Sequence, residues 1–400
     1  MKRGFSWINN YLEYTKDQES PELFHYWSGL GVIASVLGRN VFVRKSYDPN
    51  AKLFPNIYMI LVAPSGKCRK GGALGMAYRI LRETGVKVYV EAITKRALTQ
   101  ALADQIIVVE GRAEGESKLT IWSEELEVFL GKEAILTGLF ALLTRLYDAP
   151  DKWEYSTASQ GTDNLYNVCL NIIGGTIPAW FSELPTSVMN SGFLARIIIV
   201  CQDKTPRREP GLRIDKKKLD QKKKLENDLI EFLVKLREVK RELYFTPEAI
   251  NFYDSWYLDR DEVKDERFAS FYEREHDHLI KIAMLLSASY GDLFNSDVIS
   301  VERLKEAIIV LDKVKGYMSL AYCGIGDSVG AKGYERIYRY IVEEGGEIEH
   351  SRLMNKSWYW VGDKEGFNKV IELLVETGKV RIKVTKSGKK IYVLAKEVGR

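Results

Sequence analysis

Short apolar runs alternate with helix-period segments over the first half of this chain. Ile57-Tyr58-Met59-Ile60-Leu61-Val62 is bounded by Ala63-Pro64-Ser65-Gly66 and reads as a buried parallel strand. A helix pattern follows over about 71–83. Val86–Val90 alternates like a strand, and Thr94 caps another helix. Leu119–Trp122, Val168–Ile173 and Arg196–Val200 read as further strands, with a helix over 134–147. This order predicts an α/β core, a parallel sheet covered by helices on both faces.

The flanks read differently. Residues 1–40 are helical in pattern, and Ser20-Pro21-Glu22 signals a helix start. After Cys201 come Pro206, Pro210 and two lysine triplets, at 216–218 and 222–224, read as a solvated boundary. Residues 246–322 are helical in pattern, and Gly324, Gly326 and Gly330 mark a linker. From about Gly333 the order is three helices, then strands Val380–Val384 and Lys390–Leu394, which is that of a winged helix. The expected division is a helical N-terminal segment (1–45), the α/β core (46–204), an α-helical region (205–325) and a winged-helix domain (330–400).

Composition adds little to this picture. The chain has 400 residues, 46% hydrophobic and 28% charged, with net charge +4, as ordinary globular proteins do. No run reaches the ~18 apolar residues of a membrane span. The opening Met1-Lys2-Arg3-Gly4-Phe5 lacks a signal-peptide stretch. The four cysteines show no metal-ligand spacing, so reduced thiols and a cytoplasmic location are expected. Abundant Lys and Glu weakly suggest a thermophile.

Four places carry candidate chemistry. Ala63–Gly71 supplies a turn, several cations and a helix start, as phosphate binding requires, though it is not a clean G-x-x-x-x-G-K-[ST]. Ala63 stands for the first glycine. Three registers place the phosphate cation at Lys67, Arg69 or Lys70. Lys70 is favoured, with Arg69 beside it, Gly71 standing where a hydroxyl usually holds Mg²⁺, and Ser65 and Gly66 in the turn. Ile121-Trp122-Ser123-Glu124-Glu125 ends a strand in two acids: one suits Mg²⁺ through water, the other the attacking water. Gly174-Gly175-Thr176 sets a polar side chain at the next strand's end, facing the region between those two motifs. Gly192-Phe193-Leu194-Ala195-Arg196 places an arginine where it could reach a neighbouring subunit's nucleotide. A basic turn, two solvated glutamates, a glycine turn and a structural arginine are the plain alternatives.

The order of these motifs resembles the helicase proteins of phages and plasmids that are fused to or encoded beside primases. More distantly it resembles AAA+ ring helicases such as the minichromosome maintenance proteins. The stretches that carry the resemblance are Pro55–Leu74, Leu119–Leu130, Leu146–Tyr155, Asn171–Trp180 and Gly192–Val200. It implies Lys70 as the phosphate lysine, Glu124 and Glu125 as the Mg²⁺/water pair, Thr176 as the γ-phosphate sensor and Arg196 as an arginine finger. Arg274, before Leu279–Ala283, is similar to the lid-helix arginine that contacts nucleotide. ATP and Mg²⁺, single-stranded or forked DNA, a homo-oligomer (most naturally a hexamer) and a partner primase or polymerase follow from the resemblance.

Two elements would meet DNA. A hairpin over 152–166 would project into a pore, with Lys152 or Tyr155 as contacts; its tip carries no Lys or Arg. From Lys379 to Lys390 stand six basic residues, among them Arg381, Lys383, Lys386, Lys389 and Lys390, with no acid. A basic wing suits phosphate contacts. The expected activity is that of an ATP-dependent replicative helicase of a mobile element. An ATP-switched initiator without unwinding is the rival, and a scaffold with a dead ATP site a third possibility, because Ala63, Gly71 and Glu124 depart from the usual motifs.

Overall fold

The computed structural model describes residues 5–45, 48, 51–90, 93–109, 112–157, 161–189, 192–210, 215–260, 268–322, 329–361, 364–384 and 388–395. At its centre are five strands: β1 (Tyr58–Val62), β2 (Val88–Val90), β3 (Lys118–Ser123), β4 (Cys169–Thr176) and β5 (Ile197–Cys201). All neighbours run parallel, in the order β5-β1-β4-β3-β2. β1, β4 and β5 are buried along their whole length, as expected for strands covered on both faces.

β4 is longer than its apolar pattern suggested, because Gly174, Gly175 and Thr176 continue the strand in register with Ile60, Leu61 and Val62. The glycines are needed there. A Cβ on Gly174 would sit 2.9 Å from Ser123 O, and one on Gly175 2.9 Å from Glu124 O. Only a bare backbone lets the turn after β3 close against β4.

The N-terminal helices belong to this body. Helix Glu22–Leu37 is apolar on nearly every side and is buried accordingly. Its Gly31 meets Ile173 of β4 directly. Ser20 does not cap that helix. The Ser20 hydroxyl donates to Arg69 O at 2.8 Å instead, and Pro21 occupies the cap. The lysine triplets lie within helix Lys216–Arg237, capped by Asp215, rather than in a boundary loop.

A second, small sheet was not legible. Val41–Arg44 pairs in parallel with Arg241–Phe245, which pairs in parallel with Val298–Ile299. It ties the N-terminal segment to the region expected as a lid. The helical region resolves into Pro247–Leu258, Ala269–Ser289 and Val301–Tyr322. The helix expected over 134–147 is broken at Gly138 (φ +71°) into Lys132–Leu136 and Leu139–Tyr147.

Cα packing separates two compact units: Met1–Ile177 with Leu184–Tyr317, and Pro178–Glu183 with Met318–Arg400. Segments 1–45 and 205–317 therefore share one unit with the core. Of the expected linker, Gly324 and Gly326 lie outside the described residues, and Gly330 falls in a helix. In the second unit, helices Val329–Glu343, His350–Val361 and Lys364–Glu376 stand with an antiparallel sheet of Glu347–Glu349, Lys390–Leu394 and Val380–Val384. Ile337, Ile341, Leu353, Phe367, Val370 and Tyr392 form its core. Among the described residues no helix is long and apolar enough to cross a membrane.

Candidate functional site

Because β4 lies between β1 and β3, the segments leaving these three strands emerge together at the sheet's C-terminal end. Ligands of open α/β sheets bind at that end.

The loop from Ala63 to Arg69 leads from β1 into helix Lys70–Arg82. Ser65, Gly66 and Lys67 are exposed. Gly66 is left-handed (φ +69°), and so are the non-glycines Cys68 (+59°) and Arg69 (+46°). Each such non-glycine costs about 1–3 kcal/mol, and the surroundings must hold it. They do so here through distant residues. Thr205 Oγ1 accepts from the Cys68 amide (3.1 Å), Ser20 Oγ donates to Arg69 O, and Glu19 pairs with the Arg69 guanidinium (2.8 Å). Burial pushes the Cys68 thiol up to about 11, so it stays neutral, with Lys70 and Lys67 opposing.

Arg69 is thus turned outward to Glu19, and Lys67 is exposed. Lys70 turns inward. Its Nζ donates to Ala63 O at 2.8 Å. Burial is the largest influence on its pKa and lowers it, while Cys68, Glu127 and Glu125 push the other way. At the helix start the Gly72 and Ala73 amides donate to Arg69 O, which leaves the Lys70 and Gly71 amides in the usual setting for an anion.

The carboxylates come from the turn after β3. A Cβ on Gly71 would lie 2.8 Å from Glu124 Oε2, and one on Gly75 3.6 Å from Oε1. Glu124 therefore occupies the space that a hydroxyl at position 71 would fill. Thr176, at the end of β4, is 4% exposed and donates to Glu127 Oε1 at 3.3 Å. Glu127 was not singled out in the sequence. It stands two residues past Glu125 on a short helix, Leu126–Phe129, and its exposed side chain gives no apolar pattern to notice. Mg²⁺ takes one or two carboxylates plus phosphate oxygens, and Glu124 beside the helix start fits that need. Among the described residues no three potential metal donors cluster.

Arg196 lies elsewhere. It sits in a short 3₁₀ turn just before β5, opposite Ile57 by strand register. Ala63 is six residues further on, roughly 20 Å away along the strand, so Arg196 cannot serve its own chain's loop. Its side chain is only 9% exposed and is engaged: Nη2 donates to Asp148 Oδ2 (2.9 Å) and Nη1 to Gly192 O (3.0 Å). Arg274 meets the other oxygen of the same aspartate at 3.5 Å. In the sequence Asp148 stands out only as part of the stretch Leu146–Tyr155.

Of the expected DNA contacts, Lys152 pairs with Glu154 (2.7 Å) along its own strand. The hairpin Lys152–Thr157/Gly161–Tyr166 is present, and its tip, 158–160, lies outside the described residues. Arg381, Lys383 and Lys390 are exposed on the C-terminal hairpin. Lys389 pairs with Glu349 at 3.2 Å, and Lys386 lies outside the described residues. A cavity of about 370 Å³ lies at the other end of the sheet, where Lys118 is paired with Glu116 and Arg237 donates to Thr84 O.

Comparison of the sequence with protein-family models and with curated proteins finds no match.

Proposed function

We propose that this protein is an ATP-driven DNA translocase of the replicative-helicase type, with a P-loop AAA+-like core and a winged-helix unit, acting as a closed ring. The observation that carries the proposal is the strand order. β4 between β1 and β3 brings Thr176 between the Lys70 loop and the Glu124–Glu127 turn, and this juxtaposition supports a phosphoryl-transfer reading.

In this proposal the loop amides and Lys70 receive the β- and γ-phosphates. To do so, Lys70 gives up its bond to Ala63 O. Glu124 is the residue that would hold Mg²⁺, and the ion would supply neutralisation of charge on the phosphate oxygens. Glu125 takes the proton of the attacking water. Thr176 shifts its hydroxyl from Glu127 to the γ-phosphate and so reports its presence. Cations at the opposite end of the sheet, around Arg196 and Arg274, complete the site of the adjacent subunit, and a hexamer is the natural closed ring. Basic residues of the C-terminal hairpin contact DNA phosphates, and a primase or polymerase is the partner class at a fork.

A second proposal is an ATP-switched DNA-binding initiator that does not unwind. Gly71 favours it, because the hydroxyl that usually holds Mg²⁺ is replaced there by space filled by Glu124. The nucleic acid that stimulates hydrolysis separates the two. A motor responds to single strands or forks. An initiator binds duplex and hydrolyses no faster for it.

A further inference from the structure

We propose that Asp148 is a positioning residue: anchored from within by Arg196, it orients Arg274 toward the nucleotide of an adjacent subunit. This rests on the ring-ATPase proposal above and assigns the roles of the two arginines within it.

The two guanidinium groups differ in depth. Arg196 is 9% exposed, with both Nη atoms engaged and its Nε buried without an acceptor among the described residues. Its guanidinium lies 5.8 Å from the centre of the Tyr147 ring. A side chain held on this many sides does not extend to a neighbour without dismantling its slot. Arg274 is 30% exposed, and Asp148 itself 44%. Among the described residues the ion-pair contacts of Arg274 are long, 3.5 Å to Asp148 and 3.8 Å to Asp277. It is the outer cation, loosely tethered.

Asp148 in turn is rigidly placed. It ends helix Leu139–Tyr147, and the next residue, Ala149, is left-handed (φ +49°). Arg39 holds that turn by donating to Ala149 O, Pro150 O and Val168 O and by pairing with Asp151. The Arg39 guanidinium stacks on Phe54 at 4.0 Å. One oxygen of Asp148 thus takes the buried arginine and the other takes the half-buried one. The carboxylate also lies between two cations and offsets their mutual repulsion.

Mixed assemblies test this. Arg274→Ala is expected to lower kcat about a thousandfold, as loss of a transferred arginine does. Asp148→Asn is expected to lower it about 10- to 100-fold, the cost of misplacing such a group, with KM for ATP little changed. Each variant keeps an intact nucleotide site, so adding Glu125→Gln subunits, which lack hydrolysis but carry intact arginines, restores activity. A merely structural defect is not restored in this way. Arg274→Lys keeps the charge on a half-buried position and loses the planar fork, so the same loss and restoration are expected even if Asp148→Asn does not fold.

Unchanged kcat in Arg274→Lys, or losses that mixing does not restore, overturns the positioning role. So does a loss confined to Arg196→Ala at unchanged Tm, which would make Arg196 the transferred cation. In each of those cases hydrolysis by wild type leaves the ATPase proposal standing. A wild type that does not hydrolyse ATP removes both.

Discussion

The Thr176 hydroxyl donates to Glu127 Oε1 at 3.3 Å, joining the end of β4 to the short helix after β3. Glu127 also supports the charge on Lys70, more strongly than Glu125 does. Under the proposed function, the pair gives Glu127 a different expected role from Glu125. Glu127→Gln keeps an acceptor for Thr176 and is expected to retain ATP turnover within about threefold, on the scale of one neutral hydrogen bond. Thr176→Val is expected to lower kcat about 10- to 100-fold with ATP affinity nearly unchanged. Steady-state kinetics of the two variants checks this. Equal loss in both would place the catalytic carboxylate at Glu127.

Three cations competed for the phosphate role in the sequence, and geometry ranks them. Lys70 faces inward, while Arg69 is bound to Glu19 and Lys67 is exposed. Lys70→Ala is expected to weaken ATP binding about 100-fold, the scale of a charge-assisted contact in a partly buried site. Lys67→Ala and Arg69→Ala are expected to change it less than about threefold. Titration with a fluorescent ATP analogue gives the order, and a dominant effect at Arg69 would reverse it.

A buried lysine sets a pH dependence in the same unit. Lys281 is 1% exposed, donates to Asn56 O and Oδ1 at 2.8 Å, and lies over the Tyr147 ring. Burial lowers its pKa to about 7 from 10.5, with Asp277, Cys169 and Asp148 opposing and Arg274 assisting. Between those values the unfolded chain binds the proton and the folded chain does not. Stability from this group is therefore greatest above pH 10.5 and is lost as pH falls toward 7, with no further change below. The Tm difference between wild type and Lys281→Met is expected to shift in favour of wild type from pH 7 to pH 10. A flat difference contradicts this.

The C-terminal hairpin carries the duplex prediction. Arg381, Lys383 and Lys390 are exposed, whereas Lys389 is paired with Glu349. In the full chain, each phosphate contact removed by alanine at the first three is expected to reduce the slope of log affinity against log salt by about 0.9. Lys389→Ala is expected to change it less. Unaltered slopes in all variants would make this unit a protein-contact module.

Much of the core was legible because its signals are local. The Ile57–Val62 run announces a doubly covered strand, and Thr94 accepts from the Ala97 amide as its position implies. The last two strands have the bounds their patterns suggest. What escaped notice depends on partners far along the chain. Val41–Arg44 is too short to show a period, and its mate begins at Arg241. Val298–Ile299 is two residues long. The glycines of β4 read as a turn, because the backbone they admit, at Ser123 and Glu124, is remote in sequence. Likewise Arg196 looks like any surface arginine until Asp148 and Gly192 enclose it.

Steady-state ATP hydrolysis, with and without single-stranded DNA, for wild type and Glu125→Gln tests the central claim most directly. The proposed motor requires hydrolysis that single-stranded DNA raises and that Glu125→Gln abolishes while ATP still binds. No hydrolysis by wild type, with ATP and duplex binding retained, would contradict it and leave the switch-like initiator.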